Sequence, residues 1–377
     1  MKSFDVYPLF PIEPVRAKGS WLWDDKGAKY LDLYGGHAVI SIGHSHPHYI
    51  RRIEDQLSKI SFYSNSVQNP LQDQLAAKLG ELSGYPDYSL FMCNSGAEAN
   101  ENALKLASFV TGRKKVVAFK KAFHGRTSGA VAATDNPKIV SPFNANHEIE
   151  FIPLNDLPSL DKINNEVAAV IIEGIQGVGG IQVPNDSFLV ALEKRCKEVG
   201  ALLVLDEVQS GYGRTGKFFA HQFSGIKPDL ITTAKGMGNG FPVGGVLIQP
   251  GIKGVHGMLG TTFGGNHLAC AASLAVLEVI ENESLLKNAH ELGDYWIKEL
   301  KGFNEITAIR GRGLMIGFDL PETLSSLRKD LLFKHYIFTG EAKPNTIRLL
   351  PSLAMKPEEA SALIEAITVE LNLAVPS

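Results

Sequence analysis

Residues 201–216 read ALLVLDEVQSGYGRTG, and residues 229–235 read DLITTAK. Each is a short apolar run that ends in charge: Asp206 and Glu207 close the first, Lys235 the second. Near-continuous apolar runs of this length read as strands covered on both faces, the pattern of a parallel sheet. Open sheets of that kind bind ligands at the carboxyl ends of their strands. An acid and an amine at two successive strand ends therefore mark a candidate site. Taken alone, Asp206 and Glu207 read equally well as a solvated strand end. Lys235 narrows the choice. Burying an unpaired ammonium is costly and lowers its pKa, which makes the amine a candidate Schiff-base former. The glycines that follow it, in GMGNGFPVGG, remove side chains around it.

Outward from these two segments the same texture recurs. SLFMCN, KVVAFK, EIEFIPL, VAAVIIEG and GGVLIQ are further short strand-like runs, and SGAEANENALKLASFV and SFLVALEKRCKEVG between them have helical spacing. The pattern predicts an α/β fold with a mainly parallel sheet covered on both faces. Upstream, GSWLWDDKGAKYLDLYGG predicts a hairpin turning at Asp25-Lys26-Gly27, with a helix after Pro47. Beyond Gly265 the texture changes. A long helical pattern breaks near Glu283 and resumes, AIRGRGLMIGFDL is strand-like, TLSSLRKDLLFKH helical, TIRLLPSL strand-like and KPEEASALIEAITVEL helical with a charged start. The expected organisation is an N-terminal segment (1–47) packing with the small domain, a large domain (48–265) and a smaller α+β C-terminal domain (266–377).

With 44% hydrophobic and 20% charged residues, the 377-residue chain has the composition of a globular protein. Its net charge of −3, without a basic stripe, argues against nucleic acid as a partner. No apolar run is long enough to span a bilayer, and the N-terminus has no signal-peptide pattern. Cys93, Cys196 and Cys270 form no CxxC and read as free thiols, so a cytoplasmic location is expected.

Other motifs carry two readings each. Ser95, Gly96 and Ala97 open a helix directly after a strand, where free N–H groups suit a phosphate; the alternative is a plain serine N-cap. Phe123, His124 and Arg126 sit in a turn, as cofactor-stacking and carboxylate-clamping groups or as an ordinary loop. His44, His46 and His48 alternate, but Pro47 breaks the run and no acidic or cysteine cluster accompanies it, so no metal site is assigned. GRGLMIG and GNGFPVGG miss the dinucleotide spacing, which argues against a nicotinamide dehydrogenase. Cys93 reads as core.

Six blocks occur in the order found in one family: SGAEANENALKLA, FHGRTSGA, IIEGIQGVGG, LLVLDEVQSGYGRTG, TTAKGMGNGFPVGG and GTTFGGNHLACAA. From about Leu9 onward the chain resembles the class III, fold-type I pyridoxal-phosphate aminotransferases, and within them most resembles the acetylornithine aminotransferases. The resemblance implies a mainly parallel seven-stranded sheet in the large domain. It implies that Lys235 carries pyridoxal 5'-phosphate and then acts as general base, while Asp206 faces the ring nitrogen. Val208 and Phe123 would cover the two ring faces, Gln209 would bond the ring hydroxyl, and Ser95, Gly96 and Ala97 would hold the phosphate. His124 would join the cofactor-binding set. Thr262 resembles a threonine that reaches the phosphate from the partner subunit, which implies a homodimer. Arg348 would bind the α-carboxylate of glutamate and Arg126 the distal one, with Glu173 and Tyr63 also among the substrate-binding residues. The implied reaction moves the δ-amino group of N-acetyl- or N-succinylornithine to 2-oxoglutarate, giving the semialdehyde and glutamate, in arginine biosynthesis. The alternative is another ω-amine transaminase, acting on ornithine or 4-aminobutyrate.

One segment departs from the family pattern. Where relatives read E-P-x-Q-G-E-G-G, this chain has Glu173-Gly174-Ile175-Gln176-Gly177-Val178-Gly179-Gly180. In relatives the second glutamate pairs with the arginine matching Arg348 while an ω-amine is bound. Val178 cannot do so, which leaves Arg348 unmasked and requires another device for two substrate types. An acyl group with its own carboxylate, such as succinyl, could use a free Arg348.

Overall fold

The computed structural model describes residues 1–374. The chain begins with β1 (Pro14–Lys18), β2 (Trp21–Asp24) and β3 (Lys29–Asp32), an antiparallel meander. Its second turn forms at Asp25-Lys26-Gly27, where the Asp24 carboxylate accepts the N–H groups of Lys26 and Ala28 at 3.0 and 2.7 Å. A single kinked turn, α1 (Gly35–Ala38), follows. Then come α2 (Pro47–Leu57) and α3 (Pro70–Ser83), each with proline at its first position, where the missing N–H is not needed.

The central unit is a seven-stranded sheet built from β4 (Ser89–Cys93), β5 (Lys115–Phe119), β6 (Ile149–Ile152), β7 (Val167–Glu173), β8 (Leu202–Asp206), β9 (Leu230–Thr233) and β10 (Gly244–Ile248). The order is β4-β10-β9-β8-β7-β5-β6, parallel except where β10 runs against its neighbours β9 and β4. Every residue of β7 is buried, because both faces of the sheet are covered. On one face Ala169 and Ile171 pack with α4 (Gly96–Thr111), whose small residues Ala99, Ala103 and Ala107 recur every fourth position. The short α5 (Ser128–Ala132) adjoins it. On the other face Val170 and Ile172 pack with Phe188, Leu189 and Leu192 of α6 (Asp186–Val199).

After the sheet, α7 (His267–Asn282) and α8 (Leu285–Leu300) are separated at Ser284, which has φ +52°. The segment AIRGRGLMIGFDL, expected as one strand, is a hairpin: β11 (Thr307–Arg312) and β12 (Met315–Asp319) pair antiparallel around Gly313, at φ +54°. That backbone conformation favours glycine, and apolar patterning alone does not reveal the reversal. Then follow α9 (Leu327–His335), β13 (Ile337–Phe338), β14 (Gly340–Ala342), β15 (Thr346–Leu349) and α10 (Pro357–Ala374). β13 pairs parallel with β3, joining the two ends of the chain. β15 lies between β12 and β14. Among the described residues no helix is long and apolar enough to cross a membrane.

Candidate active site

The carboxyl ends of the parallel strands converge on one cavity of about 350 Å³. The register sets Glu173 beside Asp206 and Asp206 beside Thr232. Lys235 follows β9 by two residues and opens a tight turn (Lys235–Met237) with φ +44°. A non-glycine residue held there is strained, and such strain collects at functional sites. Burial holds its ammonium below the ordinary lysine range. Asp206 and Glu173 oppose that shift, and Arg348 adds to it.

Asp206 is held on both oxygens. Oδ2 accepts from Asn100 Nδ2 and His124 Nδ1, each at 2.7 Å, and Oδ1 from the Val208 N–H at 3.0 Å. Asn100 also donates to the His124 carbonyl, and its own oxygen accepts from Thr232 Oγ1 at 2.6 Å. Asn100 and Thr232 went unassigned in the sequence. The available signal was an asparagine next to Ala99, on the helix face whose other members are alanines.

Of the residues assigned from the sequence, Ser95, Gly96, Ala97, Phe123, His124, Arg126, Asp206, Val208 and Lys235 line the cavity together, with Asn94 and Asn100. Ser95 caps α4 by accepting the Glu98 N–H at 3.1 Å, and this capped helix start lines the cavity. Gly96 is required by packing, since a Cβ there would lie 2.5 Å from a Val208 methyl. Gln209 does not line the cavity; its Nε2 donates to the His37 carbonyl at 3.2 Å.

Glu173 and Arg348 are not among the lining residues. Glu173 accepts the N–H groups of Phe123 and Gly177, both at 3.0 Å, and burial, with Asp206 nearby, pushes its carboxyl up to about 7. Arg348 Nη1 donates to the Gly177 carbonyl. Thr262 and Tyr63 are exposed and do not line this cavity. His44, His46 and His48 each face a different carboxylate, those of Asp32, Glu283 and Glu278. Cys93 is fully buried, as are the other two free thiols.

The arrangement is an amine and a fixed carboxylate on neighbouring strand ends, facing the start of a long helix across a cavity that Phe123 and Phe241 also line. The model of the family described as aminotransferase class-III matches residues 5–371. The chain is 42% identical to the acetylornithine aminotransferase of Archaeoglobus fulgidus, covering 93% of each chain. It is 40% identical to that of Bacillus cereus, covering 99% of this chain and 98% of the relative. Its structure superposes on the ornithine aminotransferase of Toxoplasma gondii with a TM-score of 0.89 at 27% identity, covering 97% of this chain and 92% of that one. With Lys235 and Asp206 in this setting, the chain belongs to the class III aminotransferases.

Proposed function

We propose that this protein transfers the δ-amino group of an N-acyl-L-ornithine to 2-oxoglutarate, giving the semialdehyde and glutamate, with pyridoxal 5'-phosphate as cofactor. The observation that carries the reading is Lys235 and Asp206 facing one cavity from neighbouring strand ends, in a chain similar along its length to acetylornithine aminotransferases. That relationship also supports a role in arginine biosynthesis.

The residues present fit the cofactor. The first N–H groups of α4 lack intrahelical partners and lie at the positive end of its dipole, where Ser95, Gly96 and Ala97 would hold the phosphate. Nε2 of His124, which lines the cavity, and Oε1 of Gln209, next in sequence to the lining residue Val208, are buried polar atoms without a protein partner among the described residues. Val208 and Phe123 would take the two ring faces, and Gln209 the ring hydroxyl.

When bound, the cofactor supplies an aldehyde that condenses with amines and a ring that withdraws electrons from the carbon bearing the nitrogen. Lys235 would hold it, and Lys235 Nζ would move the proton from the amine-bearing carbon. The burial that lowers its pKa suits an amine to that work. Asp206 would face the ring nitrogen, and its three hydrogen bonds keep the carboxylate from turning away. Glu173 would brace Phe123 through the backbone. Arg126, exposed at the cavity mouth, would take the distal carboxylate of glutamate or the α-carboxylate of the ornithine unit, and Arg348 the α-carboxylate of glutamate.

The protein would act as a homodimer. Thr262 and Tyr63 are exposed, and the rings of Phe62 and Phe263 pair beside them at 5.4 Å, with Phe263 59% exposed. This supports a role for Thr262 in the partner's phosphate site. On this reading 48–265 forms the large domain and 266–377 the small one, with 1–47 tied to the latter by the β3–β13 pairing. Three buried free thiols support a cytoplasmic location.

The test is a single-turnover measurement on the holoenzyme with N-acetylornithine, N-succinylornithine, free ornithine and 4-aminobutyrate. An N-acylornithine should bleach the cofactor absorbance fastest, and 2-oxoglutarate should restore it. Preference for free ornithine or 4-aminobutyrate would replace this reading with another ω-amine transaminase.

A further inference from the structure

Arg348 is buried, with 5% of its surface exposed. Its donors meet neutral oxygens: Nε the Glu341 carbonyl at 2.8 Å, Nη1 the Gly177 carbonyl at 3.0 Å, and Nη2 the Tyr34 hydroxyl at 3.2 Å. The nearby acids are engaged elsewhere. The Glu341 carboxylate pairs with Arg328 at 2.6 Å, and Glu173 accepts two backbone amides. The position that a carboxylate occupies in relatives is Val178, half-exposed here. A buried guanidinium without a carboxylate is ready for a substrate carboxylate, and two of its three neutral partners are backbone carbonyls. Among the described residues the Tyr34 hydroxyl is the one partner carried on a side chain.

The polarity of that contact is forced. A guanidinium only donates. The Tyr34 oxygen therefore accepts from Arg348, and when the neutral His37 ring carries its proton on Nε2 the Tyr34 proton goes to His37 Nδ1. That tautomer, with Nδ1 as acceptor, is the one in which His37 orients the hydroxyl. Its surroundings favour the neutral ring: burial, with Arg348 and Lys235 nearby, holds it below the ordinary histidine range. Burial likewise raises the Tyr34 phenol, which stays protonated. Glycine at 340 is part of the device, because a Cβ there would run into the Tyr34 ring.

We propose that Tyr34, oriented by His37, is a specificity-determining residue. It masks Arg348 with a neutral hydroxyl while an ω-amine donor is bound, and yields it to the α-carboxylate of glutamate or 2-oxoglutarate. The inference rests on the proposed pairing of an N-acylornithine with 2-oxoglutarate. It gives the chain a device where Val178 removes the acidic one. A phenol holds a guanidinium less strongly than a carboxylate does, so an incoming carboxylate displaces it readily.

The experiment uses the holoenzyme and glutarate, a dicarboxylate with neither amine nor keto group, which binds without reacting. Tyr34→Phe keeps the ring and removes the acceptor. It should lower kcat/KM of the N-acylornithine half-reaction about 10-fold, hold that of glutamate within about 3-fold, and tighten glutarate binding several-fold. His37→Ala should move the same quantities in the same direction. His37→Gln, whose side-chain oxygen can accept the Tyr34 proton, should restore most of the loss. Unchanged glutarate affinity together with an unchanged ratio of the two half-reactions in Tyr34→Phe overturns the proposal. Should that variant fail to fold, the two His37 variants decide by the same readouts. Should the wild-type enzyme turn over no N-acylornithine, the functional reading fails, while the glutarate titration still decides whether Tyr34 masks Arg348.

Discussion

Asp206 and Glu207 are consecutive, both buried, and each is bonded to a histidine Nδ1 at 2.7 Å: Asp206 to His124, Glu207 to His221. Their surroundings differ in one respect. Glu207 accepts from Ser210 Oγ and from the N–H groups of Ala220 and His221, and His221 Nε2 meets the Tyr85 hydroxyl at 2.6 Å. That cluster is closed, with a partner for each ring nitrogen of the histidine. In the Asp206 cluster, His124 Nε2 is buried without a protein partner. A buried polar atom left unpartnered costs free energy, and native structures keep few of them. Two acid–histidine pairs of the same chemistry thus stand in different places: the closed one ties the strand end to the following loop, and the open one lines the cavity.

Removing charge from the open pair should give the largest effect. Asp206→Asn preserves shape but not charge. It should cut turnover by about 10³-fold and weaken cofactor binding, while the unfolding midpoint of the cofactor-free chain moves little. A large loss of stability in the cofactor-free variant would erase the contrast with Glu207. Glu207→Ala should do the reverse: it strands His221, Ser210 and two backbone amides, costing about 3–5 kcal/mol in chemical denaturation, while cofactor affinity of the folded fraction stays near wild type.

Glu173, in register beside Asp206, sharpens the comparison through pH. Its carboxyl is raised from 4.5 to about 7, first by burial and also by Asp206. Between those values the folded chain holds a proton that the unfolded chain has lost. The Glu173 contribution to stability therefore falls as pH rises through this window and levels off above it, by up to about 3 kcal/mol in all. Urea unfolding across the window should show that slope in the wild type and a flatter one in Glu173→Gln. The smallest effect belongs to Tyr85→Phe, which leaves His221 Nε2 unpartnered and so makes the closed cluster resemble the open one. Denaturation should register about 1–2 kcal/mol, with catalysis unchanged.

Much of the fold was legible in one dimension. Strand-like runs gave way to helical spacing where the chain changes element, and the turn at Asp25-Lys26-Gly27 and the break near Glu283 both lie where the residues point. The β11–β12 hairpin was not legible, because its turn is only the pair Gly313-Leu314, between two strand-like runs. Of the site, the residues carried on strand ends and at the α4 start were legible, since charge after an apolar run is a local signal. Asn100, Thr232, Tyr34 and His37 were not, since each acquires its meaning from a partner on another element.

The sequence by itself determined the alternating layers, the placing of an acid and an amine at strand ends, and the absence of a carboxylate at Val178, for these depend on local periodicity and residue type. The tertiary structure decided which of two adjacent acids faces the cavity, since that depends on what packs against each. It also decided that Tyr34 meets Arg348 across a sequence separation of 314 residues. No local pattern encodes such a contact, because it arises only when the segment after β3 is brought against the sheet that holds β15.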